Sequence, residues 1–177
     1  MILELFSAPF FIGNVDLKKI KLDAKIGKAW LSKTPSSMYE ENILDPESGE
    51  YLIWIIAELL REKYQHFTVS LIGIWRNKYL NNDFQEPHIH LGSQFSFILY
   101  EEVDTPHTVF YNPAKYLVHA TLGHSRDSGV LHHFQPDVKK GQIIVFPSYI
   151  EHMVAKNSDQ VTISGNLEFK LKEETAP

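Results

Sequence analysis

Three histidines have the spacing and the surroundings of metal ligands. His88 and His90 flank a single residue, so in an extended segment their imidazoles point to one face and can bind one ion. His152 comes much later, after a turn at Gly141, a buried apolar run that ends at Pro147, and a second turn. Imidazole suits Fe, Zn, Cu and Ni, and three facial ligands with open positions are typical of catalytic non-haem iron. We therefore predict a catalytic metal site at these histidines.

Such distant ligands must be brought together by the fold. Short β-rich runs separated by turn residues indicate a sandwich or barrel; they cover 67–76, 94–101, 107–111, 130–134, 142–147 and 160–170. A double-stranded β-helix (a cupin-like jelly roll) would place an early H-x-H pair and a late histidine at one mouth. A strand broken by Pro9 is predicted over 2–12, and apolar residues at helical spacing predict a helix over 50–65. The expected fold is mainly β, with this N-terminal helix packed on the jelly roll.

Composition limits the possible classes of protein. The 177 residues fit one domain, divided into an N-terminal strand and helix (1–66) and a jelly-roll core (67–170). The net charge of −5 argues against a duplex nucleic-acid binder, and the absence of cysteine excludes disulfides and thiolate ligands. The longest apolar run, 52–57, is too short to span a membrane, so a soluble, cytoplasmic protein is expected.

Several motifs, in order along the chain, resemble one family. They are Leu5–Phe10, Trp75–Asn77, Pro87–Tyr100, Phe110–Pro113, Gly141–His152 and Val161–Asn166. In this order they are similar to the 2OG-Fe(II) oxygenases of marine bacteria and phages. The resemblance implies a jelly roll, Fe(II), 2-oxoglutarate as co-substrate and hydroxylase-type oxidation of a C–H bond, in the host cytoplasm if the chain is phage-encoded. It also implies a three-histidine iron site, with His90 where the wider superfamily has a carboxylate.

The resemblance extends to the co-substrate site. Asn77-Lys78-Tyr79 stands where the alkylation-damage demethylases carry an N-x-Y motif that contacts 2-oxoglutarate. Tyr100 matches a tyrosine that prolyl-hydroxylase-like enzymes direct at the same carboxylate, and Asn166 on the last strand offers a further neutral donor. These resemblances imply that Asn77, Tyr79, Tyr100 and Asn166 bind 2-oxoglutarate.

One expected residue is missing. The arginine that usually pairs with the far carboxylate of 2-oxoglutarate is replaced here, since Gln160 and Val161 occupy its neighbourhood. Arg76 is the alternative cation that could pair with this carboxylate, although strand alternation points its side chain away from that of Asn77. The missing arginine keeps open a non-catalytic jelly-roll module with a structural or binding role.

A cupin-type three-histidine metalloprotein is the other alternative, although Gln94 stands where a cupin usually has a glutamate. The substrate, a small molecule or a protein, cannot be read from the sequence. A homodimer is expected, formed by the N-terminal strand and helix.

Overall fold

The computed structural model describes residues 8–27, 29–30, 34–80, 82–116, 132–156 and 158–172. In chain order, the elements before the core are β1 (Phe11–Asn14), a 3-10 turn (Leu17–Lys19), β2 (Leu22–Ala24), β3 (Ala29–Trp30), β4 (Thr34–Pro35), β5 (Asn42–Leu44) and α1 (Pro46–Arg61). The core strands are β6 (Phe67–Tyr79), β7 (Gln85–His88), β8 (Phe95–Thr105), β9 (Thr108–Tyr111), β10 (His133–Phe134), β11 (Gln142–Pro147), β12 (His152–Val154) and β13 (Asp159–Leu171).

The predicted helix is confirmed, but it lies earlier than 50–65 at both ends. It begins at Pro46 because the Asp45 side chain caps it by accepting a hydrogen bond from the Ser48 amide, and proline suits the first helical position. The buried face of α1 consists of Ser48, Leu52, Ile56 and Leu60. Within the described residues, no helix is both long and apolar enough to cross a membrane.

The core strands, joined by β1, form two antiparallel sheets. The five-stranded sheet has the order β1-β11-β8-β13-β6, and the four-stranded sheet has the order β10-β9-β12-β7. From β6 to β9 and again from β11 to β13, consecutive strands alternate between the two sheets. This arrangement is the double-stranded β-helix predicted from the sequence, and it confirms the fold class.

The five-stranded sheet separates two apolar layers. Side chains alternate along β8, so Leu99 packs in the outer cluster with the buried face of α1, whereas Ile98 packs in the inner cluster between the sheets. β11 behaves in the same way, with Ile143 and Val145 outside and Ile144 inside. A helix docked on one face and a second sheet on the other leave both strands without a solvent face, which explains their continuous apolar sequences.

The six predicted β-rich runs each contain a strand, although only 132–134 of the run 130–134 lie within the described residues. Two short strands of the core were missed, β7 and β12, because β7 contains Pro87 and no apolar alternation and β12 has three residues. The short strands β2, β3, β4 and β5 before the helix were not predicted either. At the N-terminus, residues 1–7 of the chain lie outside the described part, so the prediction of a strand over 2–12 is tested only from residue 8. There β1 begins after Pro9, at Phe11, and extends beyond the prediction to Asn14.

Candidate active site

The four-stranded sheet carries two of the predicted metal ligands side by side. His88 ends β7 and His152 begins β12, and the two residues are direct partners in the antiparallel ladder. His90 follows β7, and its Nε2 lies 3.3 Å from Nε2 of His152. One ligand nitrogen from each histidine lies within 4.8 Å of the other two. The fold therefore brings the three predicted ligands into one cluster.

Hydrogen bonds at Nδ1 orient the three rings. Each Nδ1 faces an oxygen that can only accept, so each carries a proton and leaves Nε2 with its lone pair. The acceptors are the Glu86 carbonyl for His88 (2.8 Å), the Asn166 Oδ1 for His90 (2.6 Å) and the Ile150 carbonyl for His152 (3.0 Å). This is the arrangement in which outer hydrogen bonds fix the tautomer of metal-binding imidazoles.

Burial keeps the rings neutral. Desolvation is the main cause that lowers the pKa of His88, lowers that of His90 to about 4, and places that of His152 well below its ordinary value. Repulsion between the rings lowers the last two pKa values further. Three neutral imidazoles with converging lone pairs fit a divalent transition metal such as Fe(II).

A polar pocket extends from the histidines into the space between the sheets. Two of the residues predicted to bind 2-oxoglutarate line it, Asn77 and Tyr79, because alternate residues of β6 face inward. Asn77 Oδ1 accepts a hydrogen bond from Ser36 (2.6 Å), and its Nδ2 lies 3.5 Å from Ser164 Oγ. The Tyr79 hydroxyl donates to Gln85 Oε1 (2.5 Å).

The other two predicted residues lie outside the pocket wall. Tyr100 is fully buried in the inner apolar cluster, and its hydroxyl lies near Thr108 without a hydrogen bond of normal geometry. Asn166 faces the metal-binding cluster instead, where its Oδ1 accepts hydrogen bonds from His90 Nδ1 and Ser96 Oγ. Asn166 therefore orients one of the three predicted ligands, a role that the sequence did not suggest.

Sequence reasoning missed several polar residues of the pocket. Gln85 extends its Nε2 to 3.3 Å from Nε2 of His88, and Gln160 donates to Thr108 Oγ1 (3.3 Å) while its Oε1 is buried without a partner. Thr162 and Ser164 line the same wall, since alternate residues of β13 face inward. That alternation was readable in the sequence and could have found them.

The pocket is polar without being cationic. Among the described residues that line it there is no arginine or lysine. Its amides and hydroxyls are neutral donors of the kind that carboxylate and keto oxygens accept from, so the donor set fits an oxoacid. The free volume of about 20 Å³ is close to the space of one water, so an oxoacid enters only when the lining side chains move.

Arg76 lies on the opposite face of the sheet, as strand alternation predicted. Its guanidinium pairs with both carboxylate oxygens of Glu101, at 2.7 Å from Nε and 2.9 Å from Nη2. This alternative cation is therefore already engaged and does not line the pocket.

A groove on the protein surface borders the histidine cluster. A solvent-open groove of about 640 Å³ borders His90, with walls that include Leu91, Ser93 and Tyr149. Leu91 is 84% exposed and Tyr149 is 59% exposed. His90 is the one candidate ligand that lines both this groove and the inner pocket, as far as the described residues show.

Known proteins resemble this chain mainly in structure, since no curated protein matches it in sequence. An oxidoreductase of the 2OG-Fe(II) oxygenase family from Burkholderia pseudomallei has 11% identity and a TM-score of 0.48, over 90% of this chain and 68% of that one. The 2OG complex of viral collagen prolyl hydroxylase from Paramecium Bursaria Chlorella virus-1 has 12% identity and a TM-score of 0.45, over 80% of each chain. A Pseudomonas putida prolyl-4-hydroxylase has 14% identity and a TM-score of 0.45, over 80% of this chain and 74% of that one.

The sequence itself matches a family model. The model, described as "Putative 2OG-Fe(II) oxygenase", matches residues 73–166, a range that contains both polar walls of the pocket and all three histidines. The match favours the oxygenase over the cupin-type metalloprotein and the non-catalytic module. Because it covers more than half of the chain, the protein belongs to the 2OG-Fe(II) oxygenase family, as an enzyme that uses Fe(II) and 2-oxoglutarate.

Proposed function

We propose that His88, His90 and His152 bind Fe(II) through Nε2 and that the polar inner pocket binds 2-oxoglutarate. The observation that carries this assignment is the convergence of three Nε2 atoms whose Nδ1 atoms all donate to fixed oxygens. When bound, iron with 2-oxoglutarate and O2 supplies oxidative decarboxylation to succinate and CO2, coupled to hydroxylation of a substrate C–H bond.

The residues of the chain hold and orient these partners. Gln85 accepts a hydrogen bond from Tyr79 and lies beside Nε2 of His88, so its amide must release that lone pair when Fe(II) binds there. Phe146 and Val154 belong to the apolar part of the lining, on the same side as His152, and leave water no hydrogen-bond partner there. A dry, oriented pocket favours the bound co-substrate over competing water.

The pocket holds the far carboxylate of 2-oxoglutarate through neutral donors. A buried carboxylate without any partner would be costly, and the described lining offers amides and hydroxyls instead of a guanidinium. Neutral hydrogen bonds are roughly half as strong as charge-assisted ones. Binding of 2-oxoglutarate is therefore weak and depends on several side chains together.

The primary substrate approaches through the open groove beside His90. The inner pocket is enclosed by the two sheets, whereas the groove reaches the same histidine from solvent. Exposed apolar side chains, above all Leu91 and Tyr149, suit a substrate with an apolar part next to the metal.

The test is turnover of the co-substrate alone. Anaerobically purified protein loaded with Fe(II) should convert 2-oxoglutarate to succinate slowly on addition of O2, without any primary substrate. An absorbance band should develop when 2-oxoglutarate is added to the Fe(II) protein in the absence of O2. A protein that binds iron at the three histidines but gives neither succinate nor this band would contradict the proposal.

Partners and location complete the proposal. The net charge of −5 supports a substrate other than duplex nucleic acid. A cytoplasmic location is supported by the absence of cysteine and by a co-substrate that is a common metabolite of that compartment. A homodimer stays a prediction, and sedimentation of the purified protein tests it.

A further inference from the structure

We propose that Asn166 and a chain of three serines act as the positioning device of His90 and set its strength as a metal ligand. This inference rests on the proposed metal site. It concerns residues that do not touch the metal themselves: Ser93, Ser96, Ser148 and Asn166.

The chain is continuous from the open groove to the ligand. Ser93, in the groove wall, donates to Ser148 Oγ (2.8 Å), and Ser148 Oγ lies 2.8 Å from Ser96 Oγ. Ser96 donates to Asn166 Oδ1 (3.0 Å), which also accepts from His90 Nδ1 (2.6 Å). Four successive hydrogen bonds therefore connect the surface to one imidazole.

The donors of the two outer hydrogen bonds between the serines and Asn166 determine the donor of the middle one. Because Ser93 donates to Ser148 and Ser96 donates to Asn166, the bond between Ser148 and Ser96 completes a head-to-tail chain when Ser148 is the donor. Bonds in such a chain polarise one another. Asn166 Oδ1 stands at the accepting end, and two donors hold it in the orientation that His90 requires.

Burial makes this arrangement costly to break. Ser96 is 0% exposed and Ser148 is 1% exposed, so neither hydroxyl can exchange its partner for bulk water. A rotated Asn166 amide would turn Nδ2 towards His90, and the imidazole would then carry its proton on Nε2 and lose its capacity to bind metal. The donation from Ser96 disfavours that rotation.

Backbone hydrogen bonds and a ring contact also hold His90 in place. The His90 amide donates to the Ser148 carbonyl (3.0 Å), and the Ser148 amide donates to the Gln94 carbonyl (3.0 Å). The Trp75 ring stacks on the imidazole, with centroids 5.7 Å apart and 19° between the planes. Ser148 thus fixes both the backbone of His90 and, through the chain, its side chain.

His90 depends on this device more than the other two ligands do. His88 and His152 donate to backbone carbonyls only two residues away, which the local chain positions. His90 donates to a side chain 76 residues away on β13. A side-chain acceptor has rotational freedom that a carbonyl lacks, so it needs the second donor.

The experiment measures metal affinity by chelator competition, with Fe(II) under anaerobic conditions and with Co(II) as a spectroscopic probe. Asn166→Leu should weaken binding by about 10- to 100-fold, the usual effect of losing the partner of a metal-binding histidine. Ser96→Ala should weaken it by several fold, and Asn166→Asp, which keeps an acceptor, should retain at least wild-type affinity. The Co(II) absorption spectrum should change in Asn166→Leu and not in Asn166→Asp.

Ser158→Ala is the matched control, because Ser158 is equally buried but donates to the Thr105 carbonyl outside the chain. It should leave metal affinity within twofold of wild type. Asn166→Leu within twofold of wild type would overturn the inference. If Asn166→Leu fails to fold, the test rests on Ser96→Ala, and the inference is overturned if Ser96→Ala binds metal as tightly as Ser158→Ala does. His152→Ala in the same assay separates the two proposals: undiminished affinity there contradicts the metal site itself.

Discussion

His88 and His152 are direct partners in the antiparallel ladder between β7 and β12, and their ring centroids lie 4.3 Å apart. Opposite residues on neighbouring strands project to the same side of a sheet, so the pairing itself aims both imidazoles at one point. The same pairing explains why the register of β12 against β7 matters for the cluster. One residue of register shift would turn the imidazole to the other face.

Replacing His152 with alanine should abolish stoichiometric iron binding and leave the fold nearly intact. The side chain supplies one of three ligands, and its Nδ1 bond to Ile150 spans one turn only. Iron content by elemental analysis and far-UV circular dichroism test this prediction. His133→Ala is the control, since His133 is exposed on β10 and lies outside the ligand cluster. Full iron occupancy in His152→Ala would refute the assignment.

Asn77→Ala should raise the apparent dissociation constant for 2-oxoglutarate about tenfold, if the side chain contributes ~1.4 kcal/mol. Tyr79→Phe should act similarly, because both side chains line the pocket. Tyr100→Phe should have a smaller effect, since its hydroxyl lies beside Thr108 rather than in the wall. Titration of the Fe(II) protein with 2-oxoglutarate measures all three constants, and unchanged metal affinity shows that the effect is local.

Arg76→Ala provides the contrast for this series. Its guanidinium pairs with Glu101 on the outer face, so the variant should lose stability and keep its 2-oxoglutarate constant. The partly buried pair and the carboxylate it would leave behind suggest a loss on the order of 1–3 kcal/mol. Loss of 2-oxoglutarate binding in Arg76→Ala, with Asn77→Ala unaffected, would show that the co-substrate lies on the other side of the sheet.

The metal-free protein should become less stable as the pH falls below 6.5, because the pKa of each buried imidazole is lower in the folded state than in the unfolded state. His90 has its pKa lowered to about 4 mainly by burial, whereas an unfolded chain protonates histidine near 6.5. Between these values the unfolded state binds more protons, so the free energy of unfolding is fully retained above pH 6.5 and falls as the pH drops towards 4. Urea unfolding of chelator-treated protein at several pH values measures this slope.

His90→Gln is the control for the pH series, because it removes one of the three buried imidazoles that take up protons more readily in the unfolded state. The variant should show a shallower fall in stability between pH 6.5 and 4 than the wild type. Equal slopes would contradict the assignment of a buried, neutral His90.

The sequence predicted the clustering of the three histidines and the fold for the same physical reason, since both follow from local patterns. An i, i+2 pair on an extended segment and a histidine after a buried strand need no knowledge of distant contacts. The partner of His90 is different, because Asn166 lies on β13 and meets it only through tertiary pairing. A register irregularity between Asn166 and Leu167 further conceals which face each residue takes.

If the primary substrate binds in the groove beside His90, a change in the groove should affect the turnover that the substrate stimulates and not the slow turnover of 2-oxoglutarate alone. Leu91→Asp places a charge on an exposed apolar wall without touching the inner pocket, so slow succinate formation from 2-oxoglutarate alone should stay at the wild-type rate. A library of small molecules and peptides is screened for compounds that stimulate wild-type succinate formation. That stimulation should fall at least tenfold in Leu91→Asp. Ile43→Asp is the charge-matched control, because Ile43 is an exposed apolar residue on β5 that does not line the groove. Undiminished stimulation in Leu91→Asp would place the substrate elsewhere.

Gln160→Arg should supply the cation that the pocket lacks. Gln160 is 1% exposed, lines the pocket, and has an Oε1 without a partner, so a guanidinium there would face the co-substrate and not solvent. A buried unpaired charge is costly, so the variant without 2-oxoglutarate should be less stable than the wild type.

Once 2-oxoglutarate binds, a charge-assisted pair replaces neutral bonds, and the dissociation constant should fall by about tenfold or more. The increase in melting temperature on adding 2-oxoglutarate should therefore be larger in Gln160→Arg than in the wild type, because a ligand that binds the folded state more tightly stabilises it more at the same concentration. Gln160→Met, similar in length and uncharged, should lose affinity instead. A folded, iron-loaded Gln160→Arg variant with an unchanged constant would show that the far carboxylate lies away from Gln160.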